Sequence, residues 1–240
     1  AGAILIGLQI ALTLAVVCNA LFIIASRIER ISRPTGIAES ELMYIGNRWV
    51  GDPAEFSARQ AADLATLRSL PGVADAYATN GMPVSGDGWE SGVRIKPGAD
   101  YLGSVAVMFA DEHTLDTLGV RLTEGRNFRA DEVGTLDENG SADTPTVMVT
   151  RPLAERLFPG QSATGKVIYL GNINAKPSTI VGVIDHLQSP ATSVDASSRW
   201  DEVAVVPMHL AWSRAMFVIR ARPGELPALL KSAPAALKQI

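Results

Sequence analysis

Ala1 to Ser26 reads AGAILIGLQIALTLAVVCNALFIIAS, a run with no charged residue whose strongly polar side chains are confined to Gln9, Thr13 and Asn19. At about 1.5 Å per residue, a helix of this length exceeds the roughly 30 Å hydrocarbon core of a bilayer, so the stretch reads as a transmembrane helix with lipid as its surroundings. A secretory signal would have a basic leader and an apolar region of only about 7 to 15 residues. A lipoprotein signal fits no better, because Val17 stands where a small residue should precede Cys18, and the apolar run continues through Leu21, Phe22 and Ile24. Arg27, Arg30 and Arg33 follow, opposed only by Glu29. They read as interfacial anchors with snorkelling side chains, and the positive-inside rule alone would put that end in the cytoplasm.

The rest of the chain, 34 to 240, has no second apolar run of spanning length and reads as one water-soluble unit on one side of the membrane. With 21 Lys plus Arg against 25 Asp plus Glu in 240 residues, the formal charge is -4. A nucleic-acid partner is therefore not expected, since phosphate binding needs clustered cations. The single cysteine, Cys18, excludes an intrachain disulfide and a Cys-based zinc cluster.

Residues 41–50, with Leu42, Tyr44, Ile45, Trp49 and Val50, predict a strand. Asp52-Pro53-Ala54-Glu55 predicts a helix start, with an N-cap, a proline at the first position and an acid three residues after the cap. The helix runs to about Leu70, with Phe56, Ala61, Leu64 and Leu67 as its buried side, and Pro71-Gly72 stops it. Val73 to Thr79 then completes a β-α-β unit. Strands are predicted at 92–96, 104–110, 146–149, 166–170, 179–184, 203–206 and 216–221. Short helices are predicted from Asp111 to Leu118, ended by Gly119, and over 152–158. A helix over 225–240 is interrupted by Pro234. Residues 131–143 carry five acids, no base and two glycines, and read as a solvated loop. The fold class is thus α+β: a transmembrane helix and stalk (1–33), then a domain (34–240) in which 34–83 and 200–240 form an α+β lobe and 84–199 an inserted β-rich lobe.

Motifs for chemistry are few. Gly160-Gln161-Ser162-Ala163-Thr164-Gly165-Lys166 has the spacing of a phosphate loop, but Val167 stands where Ser or Thr should bind magnesium, and a helix precedes the loop while a strand follows. A turn is the reading preferred. His113, His186 and His209 lack paired ligand spacing. His113 among Asp111, Glu112 and Asp116 makes a surface metal site conceivable, although acids at the first turn of a helix account for the cluster through the helix dipole. The acidic stretch from Asp131 to Asp143 lacks the ligand alternation of a calcium loop. No nucleophile elbow occurs. No catalytic, cofactor-binding or metal-binding residue is assigned, and no cofactor is expected.

Taken in order, several segments resemble the MacB-type, FtsX-like ABC transporter permeases, specifically their first transmembrane helix and periplasmic core domain. They are Leu8-Gln9-Ile10-Ala11-Leu12, Leu70-Pro71-Gly72-Val73, Leu118-Gly119-Val120 leading to Gly125-Arg126-Asn127-Phe128, Ala154 to Leu157, Phe158-Pro159-Gly160, Gly165-Lys166, and Ile180-Val181-Gly182-Val183-Ile184-Asp185. The resemblance implies an amino terminus in the cytoplasm, against the arginine count, and a two-part periplasmic domain with a porter-like β-α-β part and a β-rich insert. It implies a non-catalytic permease of a bacterial inner membrane. The expected partners are a cytoplasmic ABC ATPase, a second permease as dimer partner, and a periplasmic adaptor or substrate. Three further transmembrane helices are expected after the domain, so the chain reads as a fragment ending within a helix at Ile240.

The alternatives are the extracytoplasmic sensor of a single-pass receptor and, with no nucleophile and base in view, a membrane-anchored hydrolase. All three readings require the first helix to be an anchor. A protein containing residues 1–240 should therefore stay with membranes through alkaline carbonate washing, because Leu5 through Ile24 bury a full apolar span. Recovery in the wash supernatant would count against the span.

Overall fold

The computed structural model describes residues 2–83, 85–86, 88–136, 144–172, 174–190 and 199–238. Its contacts divide the chain into two units, 1–34 and 35–240. The first is one helix, α1 (Gly2–Ile31), whose span Gly2–Glu29 is long and apolar enough to cross a membrane and none of which is buried against protein. Its Ile4, Leu8, Leu12, Phe22 and Ile24 are large, apolar and exposed, which suits a lipid environment.

The second unit is built on two sheets. β1 (Leu42–Arg48), β2 (Val73–Thr79) and β11 (Arg214–Ala221) form a three-stranded sheet in the order β1-β11-β2. Both outer strands run antiparallel to β11 and hence parallel to each other, so the expected β-α-β unit is present with the last strand inserted between its two strands. The connecting helix is α2 (Phe56–Ser69). Asp52 caps the single 3-10 turn Pro53–Glu55 that leads into it by accepting from the Ala54 amide at 2.9 Å, whereas Glu55 turns forward to Arg59 instead of closing a capping box.

The predicted buried side of α2 needs one correction. Phe56, Leu64 and Leu67 are buried, but Ala61 is exposed, and Gln60 and Asp63 take the inner face. Burial of these two is compensated by hydrogen bonds: Gln60 donates to the Leu210 carbonyl at 3.1 Å, and Asp63 accepts from Asn47 and the Trp49 indole at 3.0 and 2.9 Å. Burial nonetheless pushes the Asp63 carboxyl above its ordinary value.

The second sheet has eight strands: β3 (Trp89–Arg94), β4 (Ser104–Ala110), β5 (Leu122–Gly125), β6 (Gly134–Leu136), β7 (Thr146–Thr150), β8 (Val167–Leu170), β9 (Pro177–Ile184) and β10 (Val203–Leu210). Because β10 also pairs with β4, the path β4-β3-β8-β9-β7-β10 closes on itself into a small barrel. Alternation along the strands fills it. Val105, Val107 and Phe109 of β4, with Ala204 and Val206 of β10, enter a cluster with Val93, Val147, Ile168 and Ile180. Ala106, Met108 and Ala110, with Val203 and Val205, face the other way and meet Tyr77 and Val218 of the three-stranded sheet. The far face of that sheet, with Met43, Ala76, Phe217 and Ile219, packs on α2 and α5 (Leu226–Leu237).

Four further differences from the sequence reading have physical causes. β10 belongs to the eight-stranded sheet, so the chain rejoins the three-stranded one only at Arg214 and not from residue 200. The stretch 131–136 is no solvated loop: Glu132 closes a 3-10 turn, and Leu136 is buried in β6, parallel to β10. Residues 137–143 of that segment lie outside the described residues. β5, unpredicted because its Leu-Thr-Glu-Gly is short and mostly polar, hydrogen-bonds along β9. Pro234 lies within α5 without ending it; the carbonyl it leaves unpaired belongs to Leu230, which is 56% exposed and open to water.

Gly125 sits opposite Gly182 with φ of 75°, and a Cβ there would run into the Val181 carbonyl, which accepts from the Arg126 amide at 2.9 Å. Gly125→Ala should therefore lower stability by about 2 kcal/mol or more, adding backbone displacement to left-handed strain. Gly160→Ala, with φ of 67° and open space around it, should lose only about 1 kcal/mol. Equal losses in denaturant titrations would refute this account of the Gly125 contact.

Candidate functional site

The P-loop-like stretch joins α4 (Arg151–Leu157) to β8, the reverse of the order a phosphate loop needs. Four of its amides are already used: Gly160 donates to the Glu155 carboxylate, Gln161 to the Phe158 carbonyl at 3.0 Å, Gly165 to Ile180 at 2.7 Å and Lys166 to Ala163 at 3.0 Å. The hydroxyls of Ser162 and Thr164 both donate to the Glu124 carboxylate, which would repel a phosphate. Lys166 donates to Gln161 and lies 4.5 Å over the Phe158 ring. The geometry is that of a turn pinned to β9.

The histidines part company. His186 lies edge-on to Trp200, with ring centroids 5.4 Å apart. His113 and His209 come together instead at a cavity of about 150 Å³ where α2, the end of β4 and the end of β10 meet. The metal constellation considered from sequence does not assemble around His113. Its Nδ1 is 2.9 Å from Asp75, and Asp116 lies on the exposed side of the short helix α3 (Thr114–Leu118) while its carbonyl accepts from Arg220. Among the described residues no group of three His, Cys, Asp or Glu side chains is placed to hold an ion.

What the cavity does contain is a charge cluster tying the two sheets. Asp111 follows β4 directly, and its carboxylate is almost fully buried. It accepts from the His113 amide at 3.0 Å and the Thr114 hydroxyl at 3.2 Å, which folds the chain into α3 as the sequence predicts. Arg68 of α2 reaches it at 3.4 Å while donating to the Ala76 carbonyl at 2.8 Å and lying 3.5 Å from Asp75. Burial pushes the Asp111 carboxyl up against the pull of His209, Arg68 and His113. Burial likewise pushes His209 down, opposed by Asp111 and Glu112, and its Nδ1 has no partner among the described residues. No local pattern signals this grouping, because Arg68, Asp75, Asp111 and His209 are brought together only by tertiary packing.

Two other ion clusters fix loops of the β-rich part. Arg126 forks onto Glu132 with both oxygens at 2.7 Å, and this pairing holds the Glu132 carboxyl down to about 2. Asp185, at the end of β9, accepts from both Arg121 and Arg151. The segment entering the domain is also fastened: the Gln188 amide donates to Thr35 and the Ala38 amide to Leu118, both at 2.9 Å, and Arg220 pairs with Glu41.

The sequence matches the family of MacB-like periplasmic core domains over residues 9–236, and the chain belongs to that family. The fold is similar to the extracellular domain of the noncanonic ABC-type transporter YknZ from Gram-positive bacteria, with a TM-score of 0.50 and 15% identity over 82% of this chain and 94% of that one. It is also similar to the periplasmic region of MacB from Actinobacillus actinomycetemcomitans, with a TM-score of 0.49 and 14% identity over 85% of each chain. No protein of curated function matches the sequence. The resemblance to MacB-type ABC transporter permeases read from the motifs therefore holds over nearly the whole chain, and with the apolar helix it fits a membrane protein bearing an extracytoplasmic domain. Members of this family are non-catalytic transporter components, and membership implies a cytoplasmic ATPase as partner.

The buried state of His209 has a measurable consequence. With its pKa lowered in the folded state, the unfolded chain binds more protons just below pH 6.5, so stability falls as pH drops through that window. His209→Gln should flatten the decline between about pH 7 and pH 5.5 in denaturant titrations. Parallel curves for the two proteins would show that His209 does not resist protonation.

Proposed function

We propose that the chain is the first membrane helix and periplasmic domain of a bacterial inner-membrane ABC permease, and that the domain transmits ATP-driven movement for export, lipoprotein release or signalling. The observation that carries this is the single family match running from Gln9 in the apolar helix to Ala236 in α5, so that anchor and domain belong to one functional module. The amino terminus lies in the cytoplasm, the ATP is hydrolysed by a partner subunit or domain, and the permease works as a dimer with a periplasmic adaptor or substrate at this domain. The proposal also treats the three-stranded sheet with its helices as one lobe and the inserted strands as a second.

Transmission needs a stiff path. Residues 35–41 are hydrogen-bonded to the exit of β9 and to α3, so movement of this segment acts on both sheets at once. Lengthening the linkage should waste that movement.

Inserting several glycines between Ser32 and Pro34 replaces a restricted path with a random coil. In the full-length permease reconstituted with its ATPase, hydrolysis should persist while transport or periplasmic output falls. Normal output from a complex shown to assemble normally would remove the mechanical role from this segment. A sensor would show no ATPase activity to uncouple.

A further inference from the structure

On the face of the three-stranded sheet that looks toward the barrel, a cavity of about 380 Å³ opens where the strands run out. This is within the range of small-molecule sites. Its floor follows from the register: Gly46 pairs with Met216, and the missing side chain leaves a hollow over the methionine. Two residues on, Arg48 stands directly opposite Arg214, and both line the same cavity. Opposed residues of an antiparallel pair project from the same face about 5 Å apart, so two like charges meet there at a cost in stability.

The two asparagines of the rim already have partners. Asn80 donates to the Val107 carbonyl at 2.9 Å and accepts from the Phe109 amide at 2.8 Å. Asn47 is bound to Asp63 and to its own neighbouring amide. Neither guanidinium, by contrast, has an ion pair or hydrogen bond among the described residues, although acids outnumber bases in this chain. The opposite wall is aromatic: Trp89 and Trp212 lie with ring centroids 5.5 Å apart, and the Trp212 indole N–H is buried without a partner among the described residues.

We infer that this cavity binds an organic anion, its charged head between Arg48 and Arg214 and its flat apolar body against Trp89 and Trp212. Two guanidinium forks meet the oxygens of a carboxylate, sulfonate or phosphate and relieve their mutual repulsion, and the indoles cover the body. The inference is independent of transport: it needs only the cavity and its charges.

The test uses the whole chain in nanodiscs of zwitterionic lipid, with calorimetric titration of naphthalene-2-sulfonate and of its uncharged analogue naphthalene-2-sulfonamide, after subtraction of empty nanodiscs. The sulfonate should bind saturably at one site, and the sulfonamide at least tenfold more weakly. Arg48→Gln with Arg214→Gln should weaken the sulfonate by about tenfold or more, each single change severalfold, and Arg222→Gln, on an exposed residue away from the cavity, should leave it unchanged. Arg48→Gln should also raise the melting temperature of the ligand-free protein, because it removes the opposed charge. If the double variant does not fold, the single variants decide. Equal affinity for sulfonate and sulfonamide, undiminished binding by the folded variants, or no saturable binding up to millimolar ligand would each overturn the assignment.

Discussion

Burial of β4 and β10 on both faces is the constraint on which the soluble unit depends. One set of their side chains fills the barrel and the alternate set is the floor for the three-stranded sheet, so neither sheet has a complete core without these two strands. This explains their composition. Ser104 to Ala110 and Val203 to Val206 are nearly continuous apolar runs, as expected of strands with no solvent face, whereas the outer strand β1 alternates covered and exposed positions from Met43 onward. A polar residue on either face of β4 after Ser104 would be buried, and only Asp111, just past the end of the strand, is charged.

That charge sits at a sensitive place. A carboxylate buried among Arg68, His113 and Thr114 is stabilised only while the end of β4, α2 and α3 keep their mutual positions. Such a cluster adds little net stability over an apolar core but penalises arrangements that leave one charge unpaired. The hydrophobic layer between the sheets permits sliding in a way that these directional bonds do not. Apolar burial thus holds the sheets together, and the cluster fixes their register.

The sequence revealed the elements better than their arrangement. Strands buried on two faces announce themselves as apolar runs, and the helix ends were legible at Asp52, Gly72 and Gly119 because turn chemistry is local. Side-chain type is no guide to burial on α2, where Ala61 is exposed, and the hydrogen bonds that permit Gln60 and Asp63 to be buried come from Leu210, Asn47 and Trp49, far away in the chain or on another element. Residues 131–136 have the composition of solvent-exposed chain and mislead for the same reason. The acid count was right, but Arg126 neutralises Glu132 and β10 supplies the pairing for β6. Nor could periodicity show that His113 and His209 share a cavity while His186 lies elsewhere.

The topology also bears on how such a domain could carry movement. The chain enters the three-stranded sheet through β1 and returns to it through β11 and α5, while the barrel is spun out between β2 and β11. A displacement along the chain would therefore reach the small sheet first, and the barrel would follow through its two covalent crossings, the packed faces of β4 and β10, the Arg68–Asp111 cluster and the bonds of residues 35–41. The first two would let the barrel lag, since apolar faces have no preferred direction of shear. The backbone bonds from Thr35 to Gln188 and from Ala38 to Leu118, with Arg220 reaching both Glu41 and the Asp116 carbonyl, are directional and cross from the entry segment to the β-rich part. They make the entry segment a place where a pull along the chain would be shared between the sheets.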